Sequence, residues 1–209
     1  MLNPWLSVPL EEYEGHMSST EVDQLRPLAE LFKAALEHCR PASVAVLGVA
    51  GGNGLEQIDT AVTRRIVGLD INQRYLDQVE RRFAGKLRGL ELHCRNLAEP
   101  SLGIPPVELV HAALIFEHTG VCAAVDNALS LVKGIGKLSV VLQLPSIVEQ
   151  GVAATSYASM QTLKKDFTLI DPREFQDRLE AKEFHLVAQR SQSIPAGKGL
   201  WLGIFERRS

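Results

Sequence analysis

The chain has 209 residues, which is enough for one domain with a substantial buried core. Its 45% hydrophobic and 22% charged residues are the balance of a folded globular protein, and they exclude an intrinsically disordered chain. The formal net charge of −3 offers no overall basic surface for nucleic-acid phosphates, so we expect no nucleic-acid partner.

The spacing of the cysteines and the length of the apolar runs indicate the cellular compartment of the protein. The three cysteines, Cys39, Cys94 and Cys122, are far apart and form no C-x-x-C pair, which favours a reducing compartment over a disulfide framework. Glutamates within residues 11–14 occupy the region where a secretory signal would carry lysines and an apolar run. No stretch approaches the ~20 apolar residues that span a bilayer. The sequence therefore predicts a cytoplasmic protein with no membrane partner.

The N-terminal part of the chain precedes the first predicted strand. Residues 1–17 are predicted to be irregular, with two prolines and an acidic-aromatic patch. Ser18 and Glu21 have the spacing of a capping box, and apolar residues at three- and four-residue spacing then predict a helix. Pro41 is expected to end that helix.

From residue 44 onward, short apolar runs alternate with helical patterns. The predicted strands cover 44–47, 65–71, 90–95, 107–114, 137–144, 184–190 and 200–206. The predicted helices begin near Gly54, cover 75–83 and 122–132, and start again at Pro172 with Asp171 as the cap. Alternation of strand and helix implies parallel pairing, whereas the last two strands have no helix between them and are expected to be antiparallel. The predicted architecture is α/β, with a mostly parallel sheet that ends in a hairpin.

The most informative stretch is the turn from Gly48 to Gly54, between the first strand and the first helical segment. Glycines let the backbone turn tightly and approach a ligand, and a helix N-terminus offers free N–H donors. Dinucleotide binders carry G-x-G-x-x-G, but here the sixth position counted from Gly52 is Gln57. The string Ala50-x-Gly52-x-Gly54 is instead similar to motif I of the class I S-adenosylmethionine-dependent methyltransferases. A tight turn without a ligand is the alternative interpretation.

Two downstream segments extend the resemblance. In 67–71, Asp70 resembles the family's acidic residue at the end of the second strand, which accepts hydrogen bonds from the ribose hydroxyls. Asn96 occupies the place where the family contacts the adenine amino group. The alternative interpretations are an ordinary strand-end residue for Asp70 and an ordinary turn residue for Asn96. The resemblance implies a cofactor site made of Gly48, Ala50, Gly51, Gly52, Gly54, Asp70, Ile71, Asn96, Leu97 and Ala112.

The resemblance also implies the full architecture. It is a Rossmann-like three-layer sandwich with a seven-stranded, mostly parallel sheet of order 3-2-1-4-5-7-6, in which strand 7 is antiparallel. Residues 1–40 would form a lid segment and a helix, and residues 41–209 the S-adenosylmethionine-binding domain, as one structural unit. The chain departs from the family at Gly48, where an acid is common, and at Ala50, where glycine is usual. We expect alanine to fit there only with a negative φ.

Methyl transfer requires alignment of the acceptor and, for some acceptors, a general base. His118 follows the fourth strand and titrates near neutrality, so it is the first candidate, with Glu117 beside it. The alternative for this pair is an ordinary helix start. His16 is the second candidate, in a segment that with Tyr13 and Met17 could fold over the cofactor. No cluster of residues has metal-ligand spacing, so we expect no metal.

The acceptor itself is not specified by any motif. Residues 145–170, together with Gln143, are expected to line its pocket. The sequence lacks the Asn-Pro-Pro-Tyr signature of base and glutamine methylation and the Pro-Cys nucleophile of cytosine-C5 enzymes, which leaves a small molecule by elimination. The leading hypothesis is therefore a small-molecule methyltransferase of unspecified oligomeric state. A protein that binds S-adenosylmethionine without transferring a methyl group and an NAD-dependent oxidoreductase remain as rivals.

Overall fold

The computed structural model describes residues 3–146, 152–153, 155–195 and 197–208. Within these ranges, seven strands form one sheet in the order β3-β2-β1-β4-β5-β7-β6. The strands are β1 (Ser43–Leu47), β2 (Arg65–Asp70), β3 (Leu90–Cys94), β4 (Val107–Ala113), β5 (Val132–Leu144), β6 (Phe184–Ser193) and β7 (Gly199–Arg207). β7 runs antiparallel to both β5 and β6, and the other pairs are parallel. The predicted topology is confirmed.

In the described part of the chain, six α-helices flank this sheet. They are α1 (Leu10–Ser18), α2 (Leu25–Cys39), α3 (Gln73–Phe83), α4 (Phe116–Thr119), α5 (Ala123–Ser130) and α6 (Pro172–Glu180). Short 3₁₀ helices cover Pro4–Leu6, Leu55–Gln57 and Ala158–Asp166. None of the described helices is both long enough and apolar enough to cross a membrane.

Strand β1 lies inside the sheet, and its side chains pack against helices on both faces. Its alternate side chains belong to different buried clusters, because neighbouring residues of a strand point to opposite faces. Val44 and Val46 pack in the cluster that contains Phe32 of α2, on one face of the sheet. Ala45 and Leu47 pack in the cluster that contains residues of α5 and α6, on the other face. The continuous apolar run in the sequence therefore reflects burial on both faces.

The N-terminal prediction was wrong in two respects. Residues predicted to be irregular form α1, which starts after Pro9 and carries Glu11 and Glu12 in its first turn, where carboxylates favour a helix. Ser18 is the last residue of this helix rather than the cap of the next one, and its Oγ donates to the carbonyl oxygen of Glu14 at 2.7 Å. α2 begins later, after Gln24.

Most other boundaries agree with the sequence to within a few residues. Asp171 caps α6 as predicted, because its Oδ1 accepts the N–H groups of Arg173 and Glu174 at 2.8 and 3.2 Å. β5 starts at Val132, five positions before the predicted Lys137, and α5 correspondingly ends at Ser130. Val132 pairs with Val107 of β4, and the register shifts before the pairing resumes at Lys137.

Candidate functional site

A cleft with about 1200 Å³ of space, including the part open to solvent, lies at the carboxyl ends of β1, β2, β4 and β5. Its walls come from the glycine turn after β1, the ends of β2 and β4, helix α1 and the 3₁₀ helix at 158–166. In the strand order, β2 and β4 lie on opposite sides of β1, so the cleft opens where the winding of the sheet reverses. Open α/β sheets bind their ligands at such a point.

The glycine turn is built from residues with left-handed backbone. Gly48, Ala50, Gly52 and Gly54 have φ values of +69°, +46°, +88° and +90°. The N–H groups of Gly48 and Val49 both donate to the carbonyl oxygen at the end of β2, at 2.8 and 3.0 Å, and hold the turn against that strand. The expectation that alanine fits at this position only with a negative φ was wrong, because Ala50 adopts a φ of +46°. A side chain in this region costs about 1 kcal/mol or more, which glycine avoids.

Asp70 holds this turn in place. The residue is 7% exposed and lies in the cleft wall. Its Oδ2 accepts the N–H of Ala50 and its Oδ1 accepts the N–H of Asn72, both at 2.9 Å. Burial raises the pKa of the carboxyl group, and hydrogen bonds from the backbone of Asn72, Ala50 and Ile71 oppose that rise. A carboxylate offers about four acceptor positions, so the Asp70 side chain keeps capacity for a donor on a ligand.

Residues 3–18, here termed the N-terminal segment, cover the cleft from outside the sheet. The Oη of Tyr75 donates to the carbonyl oxygen of Val8 at 3.0 Å. Arg82 of α3 forms an ion pair with Glu14 of α1 and also donates to the carbonyl oxygen of Gly51 at 2.9 Å. Through Arg82, α1 is thus connected directly to the glycine turn.

The same segment is joined to the chain that follows β5. The carboxylate of Glu12 accepts the N–H and the Oγ of Ser159 at 3.1 and 2.7 Å, and this lowers the Glu12 pKa. The Nδ1 of His16 lies 2.8 Å from the Oγ1 of Thr155. The side chains of His16 and Met17 are buried and contribute to the cleft wall.

His118 projects into the cleft between two aromatic rings. Its ring centroid lies 4.9 Å from that of Trp5 and 5.2 Å from that of Phe167, and both contacts are edge-on. Its buried Nδ1 has no hydrogen-bond partner among the described residues. Desolvation lowers its pKa to about 4, although the charge of Asp166 acts in the opposite direction. The imidazole is therefore neutral at pH 7.

Glu117, the neighbour of His118, faces the core rather than the cleft. It is 1% exposed, and its Oε1 accepts the backbone N–H of Gln143 at 2.9 Å. Within the described part of the chain, Oε2 has no partner. Burial raises the Glu117 pKa to about 7. The carboxyl group thus supports the end of β5 from behind the cleft wall.

No protein-family model and no curated protein sequence matches this chain. Solved structures do match it, among them magnesium protoporphyrin IX methyltransferase (ChlM) from Synechocystis PCC 6803 with bound S-adenosylhomocysteine. That structure has a TM-score of 0.72 at 11% identity over 95% of this chain and 94% of that chain. The fold is that of the class I S-adenosylmethionine-dependent methyltransferases.

Two further methyltransferases have the same fold. N-methyltransferase NodS from Bradyrhizobium japonicum WM9, in complex with S-adenosylhomocysteine, has a TM-score of 0.66 at 13% identity, with 99% of this chain and 100% of that chain covered. The 1,6-didemethyltoxoflavin-N1-methyltransferase from Burkholderia thailandensis, with bound 1,6-didemethyltoxoflavin and S-adenosylhomocysteine, has a TM-score of 0.67 at 16% identity, with 95% and 84% covered.

Within this methyltransferase fold, the cleft brings many of the predicted site residues together. Those in its wall are Gly48, Ala50, Asp70, Ile71, Asn96, Leu97, His16 and His118. The Oδ1 of Asn96 already accepts the N–H of Ala98 at 3.0 Å, which uses one of its two acceptor positions.

Other predicted residues lie just outside the wall. Gly52 and Gly54 pack against aromatic side chains of α3 and α2, where a Cβ would meet Phe83 and Phe32. Gly51 and Glu117 lie behind the wall, and Ala112 is fully buried in β4. The neighbouring Ala113 lines the cleft instead.

Several cleft residues were not singled out from the sequence. Trp5, Gln24, Leu114 and Lys198 all line it, whereas Phe167, which also lines it, lies within the predicted acceptor region at 145–170. Leu114 carries one available signal, its place directly after the fourth strand, and its φ of +53° marks a backbone constrained at the cleft. Trp5, Gln24 and Lys198 lie far from any motif, and only the folded chain brings them to the wall. Part of the predicted acceptor region, residues 147–151 and 154, lies outside the described residues.

Proposed function

We propose that this protein is an S-adenosylmethionine-dependent methyltransferase that acts on a small-molecule acceptor. The observation that carries the proposal is the position of the Asp70 carboxylate, which bonds to the left-handed Ala50 at the point where the sheet reverses its winding. The cytoplasmic location expected from the sequence remains a prediction.

The residues of the cleft fit this cofactor. Asp70 retains acceptor capacity, which suits a hydroxyl donor of a ribose. Ile71, Asn96 and Leu97 line the cleft at the ends of β2 and β3 and would hold the adenine there. The turn at Gly48 would hold the amino-acid tail.

The cofactor, when bound, supplies an electrophilic methyl group. The work of the chain is then to hold the acceptor in line and to exclude water. Trp5 and Phe167 flank His118 and would enclose the acceptor with aromatic surface. Because its pKa is about 4, His118 is neutral and free to accept a hydrogen bond from an N–H or O–H of the acceptor. Among the described residues no cluster could hold a metal ion.

The N-terminal segment is proposed to be a lid over the cofactor, part of a lid-and-helix unit at residues 1–40. Its hydrogen bonds and ion pair with Tyr75, Arg82 and Ser159 accompany apolar packing, in which Val8 contacts the cluster of Met160 and Leu163. The polar contacts can be exchanged for water at little cost, so the main cost of opening would be exposure of the buried Val8 and Met17.

Calorimetric titration with S-adenosylmethionine, S-adenosylhomocysteine and NAD in parallel tests the proposal. We expect both sulfur compounds to bind and NAD to give no heat, and methyl transfer to an acceptor from a small-molecule panel to follow. Binding of NAD alone would make the protein an oxidoreductase candidate. Binding of the sulfur compounds with no turnover on any acceptor would favour a binding protein without transfer activity.

A further inference from the structure

Two buried glutamines share one wall of the cleft. Gln24, just before α2, and Gln143, near the end of β5, are each 5% exposed and both line the cleft. The Nε2 of Gln24 donates to the Oε1 of Gln143 at 3.2 Å. The two amides therefore form a joined polar surface, here termed the amide pair.

The backbones of the amide pair are held by other parts of the fold. The N–H of Gln143 donates to the carboxylate of Glu117, and the residue pairs with Leu200 of β7. The N–H of Gln24 donates to the carbonyl oxygen of Met17 at 2.9 Å, and its own carbonyl oxygen accepts from Leu28 at 3.0 Å. Groups fixed in this way present their side chains in a set geometry before any ligand arrives.

Gln24 has unused hydrogen-bonding capacity toward the cleft. A primary amide offers two N–H donors and one oxygen acceptor. Within the described part of the chain, the bond to Gln143 uses one of the two donors, and no group donates to the Oε1 of Gln24. These atoms face the open cleft, where a ligand could supply both an acceptor and a donor to them.

The amide pair lies away from the ribose end of the site. Asp70 is on β2 and Gln143 is on β5, with β1 and β4 between them. Three strand spacings of about 4.8 Å separate the two residues by roughly 14 Å across the sheet. The ribose and the methyl-bearing sulfur are joined by a single carbon, so the pair lies beyond the sulfur, on the acceptor side.

Apolar side chains border the amide pair, and the buried Lys198, which has an interaction partner of its own, also lines the cleft. Met17, Val22 and Ala153 are buried, belong to one apolar cluster and line the cleft near it. An acceptor that fills this space must bury mostly apolar surface, because charged groups lose their hydration there.

We propose that the amide pair recognises the methyl acceptor, and that this acceptor is an uncharged, largely apolar molecule with an adjacent donor and acceptor, such as a lactam, an amide or an N–H heterocycle. The inference rests on the proposed function and names its substrate class. A carboxylate fits poorly, since it has no donor and would place its lone pairs against the Oε1 of Gln24.

Four two-ring probes test the inference on the protein saturated with S-adenosylhomocysteine. They are 2-quinolone, which has an adjacent N–H and C=O, quinoline, naphthalene and naphthalene-2-carboxylate. We expect 2-quinolone to bind at least 10-fold more tightly than naphthalene by ligand-observed NMR titration. Equal affinities, or a preference for the carboxylate, would overturn the inference.

Substitutions of the two glutamines test whether the preference for 2-quinolone comes from the amide pair. Gln24→Leu and, as a second variant, Gln143→Leu are expected to abolish the discrimination and to keep the affinity for S-adenosylhomocysteine within threefold. Gln73→Leu, at an exposed position on α3, is the matched control and should change neither the discrimination between probes nor the affinity for S-adenosylhomocysteine.

A loss of 10-fold or more in S-adenosylhomocysteine affinity would assign the pair to the cofactor tail. A wild-type protein that binds no S-adenosylhomocysteine defeats the proposed function, whereas cofactor binding without lactam preference defeats this inference alone.

Discussion

The buried carboxyl group of Glu117 makes a sharp prediction about stability and pH. Its pKa is raised from 4.5 to about 7 because burial disfavours the charged form. A raised carboxyl pKa means that the folded protein binds the proton more tightly than the unfolded chain does. The contribution to the free energy of unfolding is therefore full below about pH 4.5 and is lost as the pH rises through 7.

The size of the effect follows from those two values. Between pH 5.5 and 8.5, linkage predicts a loss of roughly 2 kcal/mol that is due to Glu117 alone. In Glu117→Gln the side chain stays neutral at every pH, and its oxygen can still accept the N–H of Gln143. The stability of the variant relative to wild type should therefore rise by about 2 kcal/mol over this range.

Urea unfolding, followed by tryptophan fluorescence at several pH values, measures this difference. Comparison of the two proteins cancels the contributions of other titrating groups, including His111, whose pKa burial lowers to about 3. Glu12→Gln is the matched control, because the hydrogen bonds from Ser159 lower the Glu12 pKa and keep it ionised throughout. If the Glu117→Gln difference were as flat with pH as the Glu12→Gln difference, the reasoning about Glu117 would be refuted.

Three further predictions concern the site. Asp70→Ala should weaken S-adenosylhomocysteine binding by about 1.5 to 3 kcal/mol in calorimetry, and an unchanged affinity in a folded variant would exclude the ribose role. His118→Ala should keep cofactor binding and lower turnover by about 100-fold or more, whereas lost binding would assign His118 to the cofactor. Arg82→Ala, which frees Glu14 and the glycine turn, should speed both S-adenosylhomocysteine dissociation in stopped flow and proteolysis of the N-terminal segment. Rates equal to those of Arg81→Ala, its exposed neighbour, would argue against a lid.

The strand framework could be predicted because its signals are local. A continuous apolar run such as 44–47 is what burial on both faces of a sheet requires, and the carboxyl ends of parallel strands meet at one edge. Asp70 follows the apolar part of the second strand, so the sequence alone places it at the ligand edge. The paired final strands followed from the lack of a helix between them.

The position of the N-terminal segment over the cleft could not be predicted, because it depends on contacts between distant parts of the chain. Helix α1 is short and weakly amphipathic, and residues such as Tyr75 and Arg82, far along the chain, hold it in place. The orientation of the Glu117 side chain also depends on a contact with a distant part of the chain. A single helical turn can present its carboxylate to solvent or to the core, and only the N–H of Gln143 shows which direction is used.

The strained turn and the Asp70 carboxylate form one hydrogen-bonded unit, and this changes what Asp70→Ala measures. Asp70 accepts the N–H of Ala50, whose positive φ is unfavourable for alanine. Ala50→Gly should relieve the strain and raise the free energy of unfolding by about 0.5 to 1 kcal/mol after the entropy cost of glycine. Ala84→Gly, at an exposed position with φ of −51°, should lower it instead.

A double-mutant cycle then separates the two roles of Asp70. The Ala50→Gly variant tests whether the carboxylate acts partly by holding the strained turn. If it does, Asp70→Ala should lower cofactor affinity less in the Ala50→Gly variant than in wild type, because a relaxed turn needs less support. Equal costs in both backgrounds would mean that the affinity lost on Asp70→Ala comes from ligand contacts alone. In that case the hydrogen bond to Ala50 contributes to folding but not to binding.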